Sequence, residues 1–486
     1  MSSSNSSLKA KILAGTAWTS VGVVSEKVIG IVTIAFLARL LEPKDFGTVA
    51  ICSMLTGIVS TFTDIGFQSA IIQRKDNVNK AASTAHSITI IMSFLNFGLL
   101  FLLANPLSTF YGDRAIENIA RVLSLNLVIG SFTRVHNFLF SRELQFGKKA
   151  VCETVPNVIY GFVAIPFAYF GFGVWSIVYG ELAKTTTRTL LLFALSRWKL
   201  SFKIDPKIAR ELINYGKHVM FNNVLTFGAG NVDNAVVGKY MGLASLSFYK
   251  IAYNAAALPG DVLYQIIGRV IVPAFAKVQD DLGALTRQYY RVLEYASYIV
   301  LPVFCGLFIL APEFINMLYG PKWQPAVVLF RALLLFGFAN VLMMFSNCLV
   351  LSTGRPSLLP KMTLTRLILV AVLLFTLLRI NLLALCVGVS LLQVLLFFVQ
   401  ALYLRRHYHI PVRIHFEAML SPAIFSLAMI ASLLGSVGLL EGLHLNSITS
   451  LFVKVSIGAS VYLSFMLFFK WEMIQRLFLT RQELGR

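Results

Sequence analysis

Along this chain the apolar positions come in long runs, with neither the period of two that marks strands nor the single apolar stripe of a surface helix. The run from Thr16 to Leu41 is interrupted only by Glu26, Lys27 and Arg39, and at about 1.5 Å per residue it is long enough to cross a bilayer. Glu42-Pro43-Lys44-Asp45 ends it, since a proline set among charges does not continue a membrane helix, and Phe46 to Ile72 opens a second run at once. Further runs predict spans at Ala81 to Ala104, Ala115 to Phe140, Ala150 to Phe170, Val174 to Ser196, Glu211 to Met241, Ser245 to Phe275, Tyr290 to Ala311, Ala326 to Leu351, Leu358 to Arg379, Leu382 to Leu404, Phe416 to Leu440 and Ile448 to Lys470. The chain reads as an all-α polytopic membrane protein of about 14 transmembrane helices.

Connectors are short and their charge alternates. Arg74, Lys75, Lys80, Arg142, Lys148, Lys149, Lys277, Arg287, Arg355, Lys361, Arg405 and Arg406 fall on one side together with both termini, while the other side carries chiefly Lys44, Arg114 and Lys322. An excess of Lys and Arg marks the cytoplasmic side, so both termini are expected there. The connector Arg197 to Arg210 joins the basic set and holds the helix breaker Pro206, which makes it the candidate linker.

Composition agrees with the pattern: 57% of the 486 residues are hydrophobic and 13% are charged, with a mean hydropathy of +0.75. Little chain remains for a soluble domain, and an autonomous catalytic domain is not expected. The net charge of +20 is spread over connectors and not gathered on one face, so it reads as a topology signal and not as a nucleic-acid site. Five cysteines sit singly inside apolar runs, without the spacing of a disulfide framework or a zinc site. Glu26 and Lys27 argue against reading the first run as a cleaved signal peptide. No Walker loop, HExxH or GxSxG is present; neither enzymatic activity nor a cofactor is expected.

Ionisable residues inside the runs are the candidate chemistry, because each costs about 2.5–3.5 kcal/mol at a helix centre unless it meets a partner or a cavity. The basic ones are Lys27, Arg121, Arg134, Lys184, Arg188, Lys250, Arg269 and Arg331; the acidic ones are Glu26, Asp64, Glu153, Glu181, Asp233 and Asp261. Glu181, Lys184 and Arg188 share one helix face. Arg134, Arg188, Asp64 and Arg269 lie toward cytoplasmic ends, where a long side chain can reach the interface. The basic lean of the set points to an anionic passenger. An offset of about two hundred residues sets Arg39 over Lys239 and Asp64 near Asp261, and a slightly larger one sets Arg121 over Arg331, as in a parallel repeat about an axis along the membrane normal. The expected domains are an N-lobe of helices 1–6 (residues 1–200), a C-lobe of helices 7–12 (201–404), and two additional helices with a cytoplasmic tail (405–486). Gly228 and Gly230 in the seventh span, and Pro259 and Gly260 in the eighth, are hinge candidates, with static packing as the alternative.

The strings ARLLEPKDFGTVA (Ala38 to Ala50), TDIGFQSAIIQRKD (Thr63 to Asp76), GFGVWSIVYGEL (Gly171 to Leu182), NVDNAVVGKYMG (Asn231 to Gly242), IVPAFAKVQDD (Ile271 to Asp281) and LYGPKWQPA (Leu318 to Ala326) together resemble Wzx-type polysaccharide-repeat-unit flippases. These belong to the multidrug/oligosaccharidyl-lipid/polysaccharide exporter superfamily. The resemblance runs through nearly the whole chain in order. It implies two six-helix lobes around a central cavity, two further helices, and alternating access. It also implies a passenger, a polyprenyl-diphosphate-linked oligosaccharide, turned from the inner to the outer leaflet of a bacterial inner membrane for surface or exopolysaccharide synthesis. Membrane lipids, and a polysaccharide polymerase with its chain-length machinery, are the implied surroundings. No catalytic residue is carried over. Lys250, in FYKIAY, departs from relatives, which more often have a small or polar residue there.

A diphosphate with several sugars cannot cross hydrocarbon unaided, whereas guanidinium groups in a hydrated cavity hold it by bidentate hydrogen bonds. Arg121 and Arg331, at matching places in the half-repeats, are the first candidates, with anchoring at the outer interface as their alternative role. Lys27, Lys184 and Lys250 complete the candidate cations. Without a nucleotide site, turnover needs a proton or sodium gradient or downhill substrate flow; Asp64, Asp233 and Glu26 are the candidate coupling carboxylates, with structural pairing as the alternative. Two rival readings are a multidrug/cation antiporter of the same superfamily, which favours a cavity led by carboxylates, and a non-transporting scaffold of a polysaccharide assembly complex.

Overall fold

The computed structural model describes residues 22, 25–63, 66–74, 76–143, 145–353, 358–377, 380–441 and 447–470. Among them there is no strand, and every expected span has a helical counterpart. Residues 25–40 form α1. There follow α2 Pro43–Thr63, α3 Phe67–Gln73, α4 Val78–Tyr111, α5 Ala115–Ser131, α6 Arg134–Arg142, α7 Phe146–Tyr169, α8 Val174–Leu195 and α9 Pro206–Ala229. The rest are α10 Val232–Tyr240, α11 Leu243–Ala276, α12 Leu282–Ile309, α13 Ala311–Tyr319, α14 Pro325–Ser352, α15 Leu358–Leu377, α16 Leu382–Tyr408, α17 Arg413–Glu441 and α18 Ser447–Phe469. Eight of the described helices are individually long and apolar enough to cross a membrane, and nine if α5 and α6, bent by 45°, count as one span. The expected 14 spans are compatible with this, since the second, fourth and seventh each come as two consecutive helices.

The breaks have local causes. Gly66 caps α3 in the left-handed region (φ 63), and a Cβ there would stand 2.7 Å from Val219 on α9. α9 ends at Ala229 and the chain restarts as α10 at Val232, so the seventh span is broken beside Gly230. The eighth behaves otherwise: α11 runs unbroken through Pro259 and Gly260, and a Cβ on Gly260 would stand 2.6 Å from Val341 Cγ2 on α14. That glycine permits a close helix approach. The sequence reading did not anticipate α13, where Pro312 starts a new helix directly after α12.

Packing follows membrane logic. On α4, Ile91, Phe94, Leu95, Leu99 and Leu102 are exposed, while Ala82, Ala85, Thr89, Ser93, Asn96 and Ala104 are buried. Large apolar side chains gain little by leaving lipid, so helices associate through small and hydrogen-bonding residues. Asn96 Nδ2 donates to the Val59 carbonyl at 3.2 Å and to Thr63 Oγ1 at 2.8 Å, tying α4 to α2.

By packing, the chain forms two compact units, Met1–Lys250 with Leu359–Leu382, and Ile251–Leu358 with Leu383–Arg486. In the first, α7 lies along α8, α5 contacts α2, α4 and α8, and both α9 and α10 pack on α2. In the second, α12 lies against α14 and α17, and α17 against α18. This division of contacts runs through α11 at Lys250, whereas the lobes expected from the repeat meet at residue 200; one partition describes packing and the other sequence symmetry.

Candidate functional site

The polar interior of the first unit is organised by the break between α5 and α6. Thr189 Oγ1 on α8 donates to the Ile129 carbonyl at 3.3 Å, and Thr133 Oγ1 lies 3.5 Å from Thr189 Oγ1, so the broken backbone is held against α8. Directly after the break stand Arg134 and, one turn on, Asn137. With Asn126, Lys184, Thr185 and Arg188 they line a pocket of about 250 Å³. A second pocket of about 520 Å³ shares Arg134, Asn137 and Arg188 and extends to Ser60 and Thr61 of α2, Gln68 of α3, and Asn223 and Thr226 of α9.

None of the described lining residues is acidic. Lys184 reaches Glu181 only at 4.0 Å, with both side chains about a third exposed, which is a weak and screened pair. The chamber thus presents two guanidiniums and one ammonium beside amide and hydroxyl groups. Its chemistry suits an anion with several oxygens, attached to a body rich in hydrogen-bonding groups.

Lys184, one of the candidate cavity cations, lines the smaller pocket. Arg134 and Arg188, which their positions near span ends suggest would reach for the interface, line the chamber as well. The signal for Arg188 was legible, since it sits one turn after Lys184 on the same helix face.

The matched arginines each lie over a ring and have a polar partner. Arg121 pairs with Glu117 at 2.7 Å and stacks over Phe101 of α4, 4.8 Å from the ring centre. Arg331 Nε donates to the Phe308 carbonyl at 3.0 Å and stacks over that ring at 5.6 Å. Neither lines the two pockets.

Asp233 and Lys250 lie close enough to feel each other's charge. Asp233 is buried, accepts from the Tyr249 hydroxyl at 2.6 Å, and feels the charges of Lys250 and of Arg366 on α15. Glu26 and Lys27 are half-buried on α1, outside these pockets. Asp64 lies outside the described residues, as does the side chain of Arg269. Of the glycines, Gly228 has open space where a Cβ would stand, and Gly230 caps α9.

A family model described as polysaccharide biosynthesis protein matches residues 36–328, more than half of the chain. The chain belongs to this family of polysaccharide biosynthesis proteins. Among curated relatives, the teichuronic acid biosynthesis protein TuaB of Bacillus subtilis is 23% identical over 72% of this chain and 73% of its own length. The lipopolysaccharide biosynthesis protein WzxC of Escherichia coli is 25% identical over 68% of each chain. Among solved structures, the lipid II flippase MurJ in an inward closed conformation superposes with a TM-score of 0.73 at 14% identity, covering 94% of this chain and 99% of that one. An inward-facing multidrug resistance MATE transporter reaches 0.64 at 14% identity over 79% of this chain and 94% of its own. The two structures establish the fold.

Family membership also acquires a physical content. A Cβ on Gly47 would stand 2.0 Å from the Leu243 carbonyl oxygen, and one on Gly238 would stand 2.7 Å from Ile51 Cδ1. Ser247 Oγ donates to the Pro43 carbonyl, and Lys44 pairs with Asp113 at 2.9 Å. The strings around EPKDFG and GKYMG therefore meet each other, so in this polysaccharide biosynthesis protein they serve helix packing.

Proposed function

We propose that this chain is a flippase that moves a polyprenyl-diphosphate-linked oligosaccharide across the membrane by alternating access, and that the diphosphate is met by Arg134, Lys184 and Arg188. The observation that carries this reading is the chamber itself: three cations, no described acidic lining residue, and amides and hydroxyls suited to sugars. The names of the relatives, which concern teichuronic acid and lipopolysaccharide synthesis, and the lipid II flippase fold support it. A cation antiporter would place a carboxylate where the passenger sits, and this lining argues against that. In this reading Arg121 and Arg331 are anchors beside the path.

The test is translocation of a polyprenyl-diphosphate oligosaccharide in proteoliposomes. Arg134→Ala with Arg188→Ala should reduce the rate about a hundredfold, by analogy with the loss of charge-assisted hydrogen bonds at about 1.5–3 kcal/mol each. A double variant that transports at the parental rate would sink the assignment.

The chain sits in the bacterial inner membrane with both termini cytoplasmic, a reading supported by the excess of Lys and Arg on one set of connectors. Cysteines at Lys44 and Lys322 should react with an impermeant thiol reagent in intact cells, and one at Lys203 should not; the reverse pattern overturns the orientation.

A further inference from the structure

Residues 196–205 run from the end of α8 to the N-cap of α9 without helix or strand, yet they are firmly held. The ring of Trp198 stands edge-on to His86 and His136, 5.4 and 5.1 Å from their ring centres, and Phe202 packs on His86 at 5.6 Å. The Asp205 amide donates to Thr84 Oγ1 at 3.1 Å.

Between this strap and α4 lies a pocket of about 790 Å³ whose lining includes Lys80 in the first turn of α4, Lys203 on the strap and Lys207 in the first turn of α9. Asp205 is the one acid among the lining residues, and its Oδ1 is already engaged by the amides of Lys207 and Ile208 at 3.0 and 3.3 Å. None of the three lysines is ion-paired with a described residue. Asn77, the N-cap of α4, makes no side-chain cap bond, which leaves that long helix with its first amides uncapped at the same pocket. Along the strap, Leu200, Phe202 and Ile204 are 42%, 62% and 48% exposed.

Three ammonium groups around one space call for a multivalent anion. Exposed leucine, phenylalanine and isoleucine at the end of a membrane helix call for acyl chains, since side chains of this kind settle at the headgroup boundary. One ligand class satisfies both. We propose that this pocket, separate from the passenger chamber, binds the headgroup of an anionic phospholipid. Its phosphate sits among Lys80, Lys203, Lys207 and the start of α4, and its acyl chains lie along Leu200, Phe202 and Ile204. The linker is thereby tied to the membrane surface.

The test uses the full-length protein in detergent, titrated with dioleoylphosphatidylglycerol and followed by native mass spectrometry. Lys80→Ala, Lys203→Ala and Lys207→Ala together should weaken binding about a hundredfold, from the usual contribution of a lysine near an anionic lipid. Replacing Lys277, Arg287 and Arg291 by Ala removes the same charge elsewhere and should change binding by less than about threefold, on the same reasoning. Leu200→Ser with Ile204→Ser, all charges intact, should also weaken it, and millimolar inorganic phosphate should not displace the lipid. The proposal is overturned if the lysine variant, monodisperse by size exclusion, binds as the parent does or if the control triple falls equally. It is overturned as well if the serine variant binds unchanged, or if phosphate displaces the lipid, which would make this a site for free phosphate.

Discussion

In the first unit, Arg134, Lys184 and Arg188 share two pockets with amides and hydroxyls. In the second, the Tyr289 hydroxyl meets Ser346 Oγ at 2.7 Å and His415 Nε2 at 3.0 Å, and all three side chains are buried. Both sets are polar groups inside apolar helices, and by composition they look alike. What separates them is the partner. Polar atoms that satisfy one another are closed to ligands and hold α12, α14 and α17 together, whereas cations that face open volume keep water and can exchange it for an anion. The second unit repeats the lesson with charge: Lys454, nearly buried, is matched by Glu313 at 2.6 Å. A charge inside a membrane protein therefore points to a ligand when it lines open volume, and to packing when a close partner encloses it.

The sharpest challenge to this contrast lies within the first unit, at Asp233. It resembles the second unit's closed networks, since Tyr249 donates to it and Lys250 and Arg366 act on it, yet it is also a candidate coupling carboxylate. Asp233→Asn removes the negative charge that faces Lys250 and Arg366. A loss of up to about 3 kcal/mol is expected, since the charged acceptor of the Tyr249 hydrogen bond becomes a neutral one, visible as a lowered thermal midpoint. Transport should also stop responding to collapse of the proton or sodium gradient. If the destabilised variant retains gradient dependence, Asp233 is a structural pair of the second unit's kind and coupling belongs elsewhere.

A smaller effect is expected at Tyr289. Tyr289→Phe strips the hydroxyl from a closed triad and leaves Ser346 and His415 short of a partner, at a cost of about 1–3 kcal/mol. Stability should fall while the transport rate per folded molecule holds within about twofold, the margin expected of a residue that makes no passenger contact. A rate loss exceeding the stability loss would break the contrast, because it would make the second unit's network part of the passenger path.

How far the sequence could go is clear from the same residues. Apolar runs and charged breaks give the helical membrane fold, because a bilayer demands about twenty apolar residues and tolerates few charges. The broken spans were legible only in part. Gly228 and Gly230 mark the broken seventh span, whereas α11 runs unbroken through Pro259 and Gly260, where the sequence alternatives are a hinge or static packing and Gly260 lies close to Val341. The chamber was harder to read. The sequence singles out Lys184 but places Arg134 and Arg188 near span ends, since position along a span does not reveal that the backbone breaks at Phe132-Thr133 and brings Arg134 into one pocket with α8. Partners close in space and distant in sequence, such as Arg121 with Phe101 or Tyr289 with His415, leave no periodic trace.

The smallest effect is expected at Arg121 and Arg331, and it is the one most directly set against the repeat symmetry. Each guanidinium lies over a phenylalanine of a neighbouring helix in its own unit and is further held, by Glu117 in one case and by the Phe308 carbonyl in the other. The likeness of the two arrangements is what a repeat would produce. Each guanidinium is thus engaged by groups of its own unit. Lysine at either place keeps the charge and loses the stack, which costs about 0.5–1 kcal/mol at a partly exposed site. Arg121→Lys and Arg331→Lys should therefore lower stability slightly and equally, and leave translocation within about threefold of the parent. A tenfold or greater loss of transport at matched expression, in either variant, would move that arginine from anchor to passenger contact. A loss at Arg331 would in addition place a cation of the second unit on the path, and the contrast between an open first unit and a closed second one would no longer stand.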